Sequence, residues 1–248
     1  SSWTMIFIII GSITILLGIL GFFLIEETSI PSNRNQNYFK NIIFGFRPSV
    51  IKAHAPLYFT LITFALFGIA IQIFMPYIII YYEVSLSLKN YVIILAPAII
   101  IAGIVTAFYG RYYDKVGFIK SLIPTLICIS LGFILLITFT NVVLVFIGSL
   151  FMMSGYLTGM AVFGAKIRDL TPEDKAGRLQ GVRIFSQVLL PGIIGPFIGK
   201  SVLANAEKIV NNDGTESFVP NANIFLAAAV PIVILAAVLL LSGKRRVK

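Results

Sequence analysis

The sequence predicts an all-α fold, a polytopic membrane bundle of seven transmembrane helices in which one helix precedes a six-helix unit. Three observations predict it. Seven apolar runs occupy residues 3–25, 57–81, 91–109, 121–139, 142–163, 184–199 and 223–242. Each is close to the ~20 residues a helix needs to cross a ~30 Å hydrocarbon layer, the sixth being the shortest. All ten acidic residues and nearly all basic ones lie between the runs, as expected when an ionised side chain at mid-bilayer costs at least ~2.5–3.5 kcal/mol. Finally, hydrophobic residues make up 58% and charged residues 12%, whereas a soluble domain is roughly 25% charged.

The net charge of +9 invites a nucleic-acid partner, but its distribution argues for membrane topology instead. When the gaps are assigned alternately to two sides, all of the nineteen Lys and Arg except Lys89, Lys200 and Lys208 fall on one side. That is the positive-inside bias, and it places the rich side in the cytoplasm of a cell (inner or plasma) membrane, the start of the chain outside and its end inside. The single cysteine, Cys128, lies in an apolar run and forms no intramolecular disulfide. The first run is not a signal peptide: it is too long, lacks a basic leader, and is followed by Glu26 and Glu27. With no initiator methionine, the chain is expected to be the rear portion of a longer protein.

The elements follow in order. Residues 1–25 form one span. Residues 26–56 are a cytoplasmic connector, turn-prone at Pro31 to Asn35 and semi-apolar over 39–46, where a short interfacial helix is expected. Residues 57–248 hold six spans joined by short gaps, except for a longer exterior loop over 200–222 with a turn near Asn212–Thr215. Prolines within or at the ends of spans (Pro76, Pro97, Pro124, Pro191, Pro196 and Pro231) either mark helix discontinuities of the kind common in transporters or reflect the general tolerance of membrane helices for proline.

Two gaps carry motifs. Residues 110–120 read GRYYDKVGFIK. Gly110 lets a helix end approach a neighbour, Asp114 followed by Lys115 offers a charge for an arginine or a helix end, and Gly117 permits a tight reversal. Residues 166–181 read KIRDLTPEDKAGRLQG. Here Thr171 is the expected N-cap, with Pro172 at the first helical position and Glu173 and Asp174 in the first turn. Arg178 and Arg183 recur along the entering helix and are expected to meet Asp114 or Asp169 in a cytoplasmic gate latch.

The first motif resembles the cytoplasmic signature G-x-x-x-D-[RK]-x-G-[RK]-[RK] of the major facilitator superfamily, departing from it at Phe118 and Ile119. The second resembles the loop before the penultimate helix of those transporters. The layout of the whole chain is similar to the sixth helix, interdomain loop and helices seven to twelve of a twelve-helix member. That resemblance implies alternating-access transport of a small solute, with the substrate site at mid-membrane between two six-helix halves. The partners it implies are the solute, membrane lipid and the missing N-terminal half. A sugar-type symporting permease is the first choice and a drug or multidrug exporter the second.

Polar side chains at mid-span are the cavity candidates, since lipid does not solvate them. Gln72 shares a face with Ala65, Gly68 and Pro76. Tyr156 and Thr158, with Ser154, surround the close-approach pair Gly155 and Gly159. Gln187 falls at helical spacing with Arg183 and Pro191. Each serves equally well as an interhelical hydrogen bond.

The segment Gly195 to Ser201 lacks one residue of phosphate-loop spacing and ends an apolar helix. Gly192 to Gly199 resembles the G-P-x-x-G element of antiporters, which in those exporters belongs to the fifth helix, here its pseudo-symmetric counterpart. No predicted span contains Asp or Glu, and His54 precedes the second span, so any proton coupling is expected in the other half. A seven-helix receptor is the alternative of another class; the last span offers no lysine for a retinal Schiff base. With one His, one Cys and no paired carboxylates on a helix face, no catalytic, cofactor or metal site is expected.

Overall fold

The computed structural model describes residues 2–24, 44–88, 90–210, 214 and 216–245. The chain divides into two units, Ser1–Asn37 and Tyr38–Lys248. The first contains α1 (Ser2–Leu24), an uninterrupted apolar helix. The expected interfacial helix falls outside the described residues apart from Phe44–Phe46, a single 3₁₀ turn.

The second unit begins with that turn and a short helix, α2 (Pro48–Ala53), followed by α3 (Ala55–Phe74). Beyond α3 the helix runs on through a 3₁₀ turn at Met75–Tyr77 and a π turn at Tyr81–Ser85. Next come α4 (Tyr91–Val116), α5 (Phe118–Thr138) and α6 (Val142–Leu170). The following span starts with α7 (Ala176–Ile184), passes a π turn at Phe185–Leu189 and continues as α8 (Leu190–Val202). The last helix is α9 (Asn223–Arg245). Among the described residues seven helices are long and apolar enough to cross a membrane, so the all-α polytopic expectation holds.

The spans outrun the apolar runs. The second reaches Ser85 and takes in Glu83, so the expectation that no span contains an acid is corrected. The sixth covers Glu173–Val202, 30 residues, and is not the shortest. Apolar sequence marks only the lipid-facing length of a helix; backbone hydrogen bonding carries the helix onward into polar surroundings, where Glu83 is exposed. The loop between α8 and α9 also holds a small hairpin, β1 (Lys208–Val210) antiparallel to β2 (Glu216–Phe218), with Ile209 opposite Ser217. Pro76 and Pro191 coincide with breaks in α geometry, whereas Pro97, Pro124, Pro196 and Pro231 lie inside continuous helix.

In the packing, α3 lies against α8 and α9, and α6 lies against α4 and α5. Contacts of α5 with α9 and of α3 with α6 join the two sets. The core is aromatic around Phe74, Phe133 and Phe225, with ring centroids 5.4–5.9 Å apart, and around Phe64, Phe67 and Phe163. Large apolar side chains such as Ile93, Phe108, Phe197 and Val233 point outward. In water so much exposed apolar surface would drive association; in a bilayer it is the solvated face.

Candidate functional site

Glycine seams fix the middle of the bundle. A Cβ on Gly155 would lie 2.6 Å from the Ile129 nitrogen, and one on Gly132 would collide with the Met152 backbone, so α5 and α6 touch backbone to backbone. Gly159 accommodates the ring of Phe67, which carries the contact on to α3. Across the α3–α8 contact, a Cβ on Gly68 would lie 2.7 Å from Pro191 Cγ, one on Gly195 would collide with Gln72, and one on Gly199 would lie 2.7 Å from the Ile73 carbonyl oxygen. The glycines of the G-P-x-x-G-like element thus serve the α3–α8 contact, except Gly192, which meets nothing within 4 Å.

The cavity candidates fall into this scaffold in different ways. Thr158 is 3% exposed. Its hydroxyl donates to the Ser154 carbonyl at 2.6 Å and lies 3.3 Å from the Thr125 hydroxyl of α5. Thr158 is therefore an interhelical contact in this structure. Tyr156 is half-buried and packs at the edge of the core. Gln72 and Gln187 are half-buried, and neither side-chain amide has a hydrogen-bond partner among the described residues. Gln187 sits inside the π turn Phe185–Leu189, and its carbonyl oxygen and Pro191 both lie beside Gly68.

The basic end is held by side chains rather than by backbone contact. Gly117, at φ +79°, turns α4 into α5, a conformation that costs a side-chain-bearing residue roughly 1–2 kcal/mol. Across this reversal the Tyr109 hydroxyl donates to the Ser121 carbonyl at 2.7 Å. Gly110 meets nothing within 4 Å among the described residues, so the expected close approach is not made there.

Tyr113, 7% exposed, donates its hydroxyl to Asp169 Oδ2 at 2.7 Å, and Arg168 approaches the other carboxylate oxygen at 3.5 Å. Asp114 and Lys115 are exposed, and neither forms an ion pair among the described residues. Arg178 meets neither Asp114 nor Asp169: its guanidinium carbon lies 3.6 Å from the Phe44 ring centroid, and its Nε is buried without a hydrogen-bond partner among the described residues. Around that stack, the Tyr58 hydroxyl donates to the Gly45 carbonyl and Phe46 meets Phe185 edge to face. Arg183 and Asp169 line one cavity of about 500 Å³ between α3, α6 and α7.

Thr171 does not cap the helix that follows it. It closes the end of α6, its hydroxyl donating to the Ile167 carbonyl at 2.6 Å, and a 3₁₀ turn at Glu173–Lys175 intervenes before α7. The threonine hydroxyl finds a carbonyl four residues back in the helix it already belongs to, which competes with capping forward.

Sequence reasoning missed Tyr113, Phe44 and Tyr58. Tyr113 had a signal: Ala98, Ala102, Tyr109 and Tyr113 mark one face of α4 at helical spacing, so the tyrosines extend a packing stripe. Phe44 and Tyr58 had none: Arg178 lies far from Phe44 in sequence, and no helical spacing links Tyr58 to the Gly45 carbonyl.

Opposite this end, the Tyr81 hydroxyl donates to the Leu136 carbonyl at 3.0 Å, Tyr82 pairs with Ser149 at 2.7 Å, and Ser85 donates to the Pro220 carbonyl.

Seven helices long and apolar enough to cross a membrane, with large apolar side chains on their outer surface, make a multi-pass membrane protein. The description Major Facilitator Superfamily belongs to a family model that matches residues 1–196 of the 248, and the chain is a member of that superfamily of transporters. No curated protein and no solved structure matches it.

Proposed function

We propose that the chain works in secondary active transport by alternating access, moving a small, neutral, hydroxyl-bearing solute in the manner of a sugar-type symporter. Membership of a superfamily of transporters supports transport as its work. The observation that supports the finer reading is the pair of half-buried, unpartnered amides of Gln72 and Gln187, on the two sides of the α3–α8 seam. An amide both donates and accepts, which suits a hydroxyl group. A cationic drug would favour a carboxylate at mid-membrane. The acid within the described spans of the six-helix unit that lies away from the basic end, Glu83, is exposed in the last turns of its span.

In this proposal the other side of the substrate path belongs to a second six-helix unit, as does any titrating group for ion coupling. The basic end faces the cytoplasm of the cell membrane, and Gly110, Asp114, Lys115, Gly117, Arg178 and Arg183 belong to its gate. Arg183 and Asp169 lining one cavity supports a charge cluster there, and exposed Asp114 remains available to a group in the other unit.

The test is counterflow uptake into vesicles by the complete transporter against sugars and drugs, with Gln72→Ala and Gln187→Ala. Each variant is expected to lower sugar uptake at least tenfold while keeping thermal stability. Unchanged uptake in both would remove them from the cavity. Measurable flux through this chain alone in liposomes would contradict the two-unit path. For the gate, Asp114→Asn is expected to raise cysteine labelling from the basic side, and labelling rates unchanged on both faces count against it.

A further inference from the structure

At the basic end a cavity of about 580 Å³ opens where the start of α3, the α4–α5 reversal and the ends of α6 and α9 meet. Its walls are apolar, including Pro56, Phe59, Phe118 and Leu170, and its charged lining residues are Lys120 and Lys166. No carboxylate lines it, and neither lysine is in an ion pair among the described residues. A second cavity, about 360 Å³, is a groove between α5 and α9, walled by Ile127, Leu131, Ile134 and Val233. The two share Leu239 as a lining residue and so lie side by side, and Lys120 stands one helical turn before Ile123, where the α5 wall of the groove begins.

We propose that this composite site binds an anionic phospholipid, its phosphate between Lys120 and Lys166 and one acyl chain along the α5–α9 groove. Charge complementarity fixes the head: two unpaired lysines above an apolar floor fit an anionic headgroup at a membrane surface. Geometry fixes the tail. The α5 wall of the groove runs from Ile123 to Ile134, which at about 1.5 Å per residue is roughly 16 Å. That is close to half of a ~30 Å hydrocarbon core, the depth that one leaflet's chains occupy. Ile127, Ile134, Val233 and Leu240 around the groove are exposed on the lipid-facing surface, so a chain enters it sideways from the bilayer. The site rests on the membrane character of the bundle and is independent of which solute is carried.

Native mass spectrometry of the detergent-solubilised protein with phosphatidylglycerol, phosphatidylcholine or inorganic phosphate tests it. Phosphatidylglycerol is expected to be retained over phosphatidylcholine by roughly 25-fold, about fivefold for each lysine. The double variant Lys120→Gln, Lys166→Gln is expected to lose that preference, and Lys120→Arg, Lys166→Arg to keep it. Ala236→Trp, which fills the groove, is expected to weaken both lipids. Equal retention of the two lipids, an unaffected glutamine variant, or unchanged binding to Ala236→Trp overturns the proposal. So does displacement of phosphatidylglycerol by inorganic phosphate, which marks a head-only site. A concentration-dependent dimer that blocks lipid retention would assign the groove to a second copy and also overturn it. Should the glutamine variant fail to fold, the arginine variant and the two-lipid comparison on the unmodified protein still decide.

Discussion

The middle of the six-helix unit and its basic end are held together in opposite ways. In the middle, glycines bring backbones into contact: Gly132 and Gly155 join α5 to α6, while Gly68, Gly195 and Gly199 join α3 to α8. At the basic end the joins are made by long side chains, Tyr113 to Asp169, Arg178 to Phe44 and Tyr109 to the Ser121 carbonyl. A backbone seam has no rotamer freedom to yield, so it moves as a body. Side-chain contacts break and reform at about 1–3 kcal/mol each, within reach of a transport cycle. The difference teaches that one region is fixed by backbone contact and the other by side chains that can exchange partners.

The largest expected effect breaks the stiff region. Gly155→Leu forces a side chain into the Ile129 backbone and is expected to cost more than about 3 kcal/mol, seen as loss of the monodisperse protein on heating in detergent. Gly110→Leu, in open space although it belongs to the signature motif, is expected to leave the melting temperature unchanged. If the two variants behave alike, close packing is not what separates these glycines.

Tyr113→Phe comes next. It removes a hydrogen bond to a carboxylate and is expected to cost about 2 kcal/mol. It should also speed labelling of a cysteine placed at Gln180, beside the Asp169 cavity. No change in labelling rate would mean that this contact does not hold the end closed.

Thr158→Val is smaller, about 1 kcal/mol, since Thr125 keeps its bond to the Ser121 carbonyl. Loss of uptake with full stability would move Thr158 from the helix interface into the substrate path.

The smallest effect lies on the β1–β2 hairpin. The Glu216 carboxylate is held below the ordinary glutamate value of 4.5, first by the hydrogen bond from Lys208 at 2.8 Å and then by its charge. Because the folded value is depressed, the pair's contribution is present above pH 4.5 and is lost as pH falls through the lower folded value. Amide protection at Ile209 should therefore hold from pH 7 to 5 and weaken below about 4.5. Lys208→Gln is expected to remove the dependence.

Much of this was written in the order of residues. The helix count, the basic bias, the Gly117 reversal and the close approach at Gly155 and Gly159 follow from local rules: lipid-length apolar runs, exclusion of charge, and the freedom of glycine. The same rules misjudged Gly110, where the motif glycine meets nothing, and Thr171, whose hydroxyl turned back to Ile167. They also ended the spans too early, because hydropathy tracks lipid rather than hydrogen bonding.

By itself, then, the sequence determined that this is a membrane-embedded helical bundle, with its spans and its charged side, since partition between lipid and water is decided residue by residue. Tertiary structure alone decided that Gln72 lies against Gly195, that Arg178 stacks on Phe44 instead of pairing with an acid, and that Tyr113 finds Asp169. Those choices depend on which helix faces lie within a few ångströms of each other. Packing sets that distance, and no periodicity within a single helix records it.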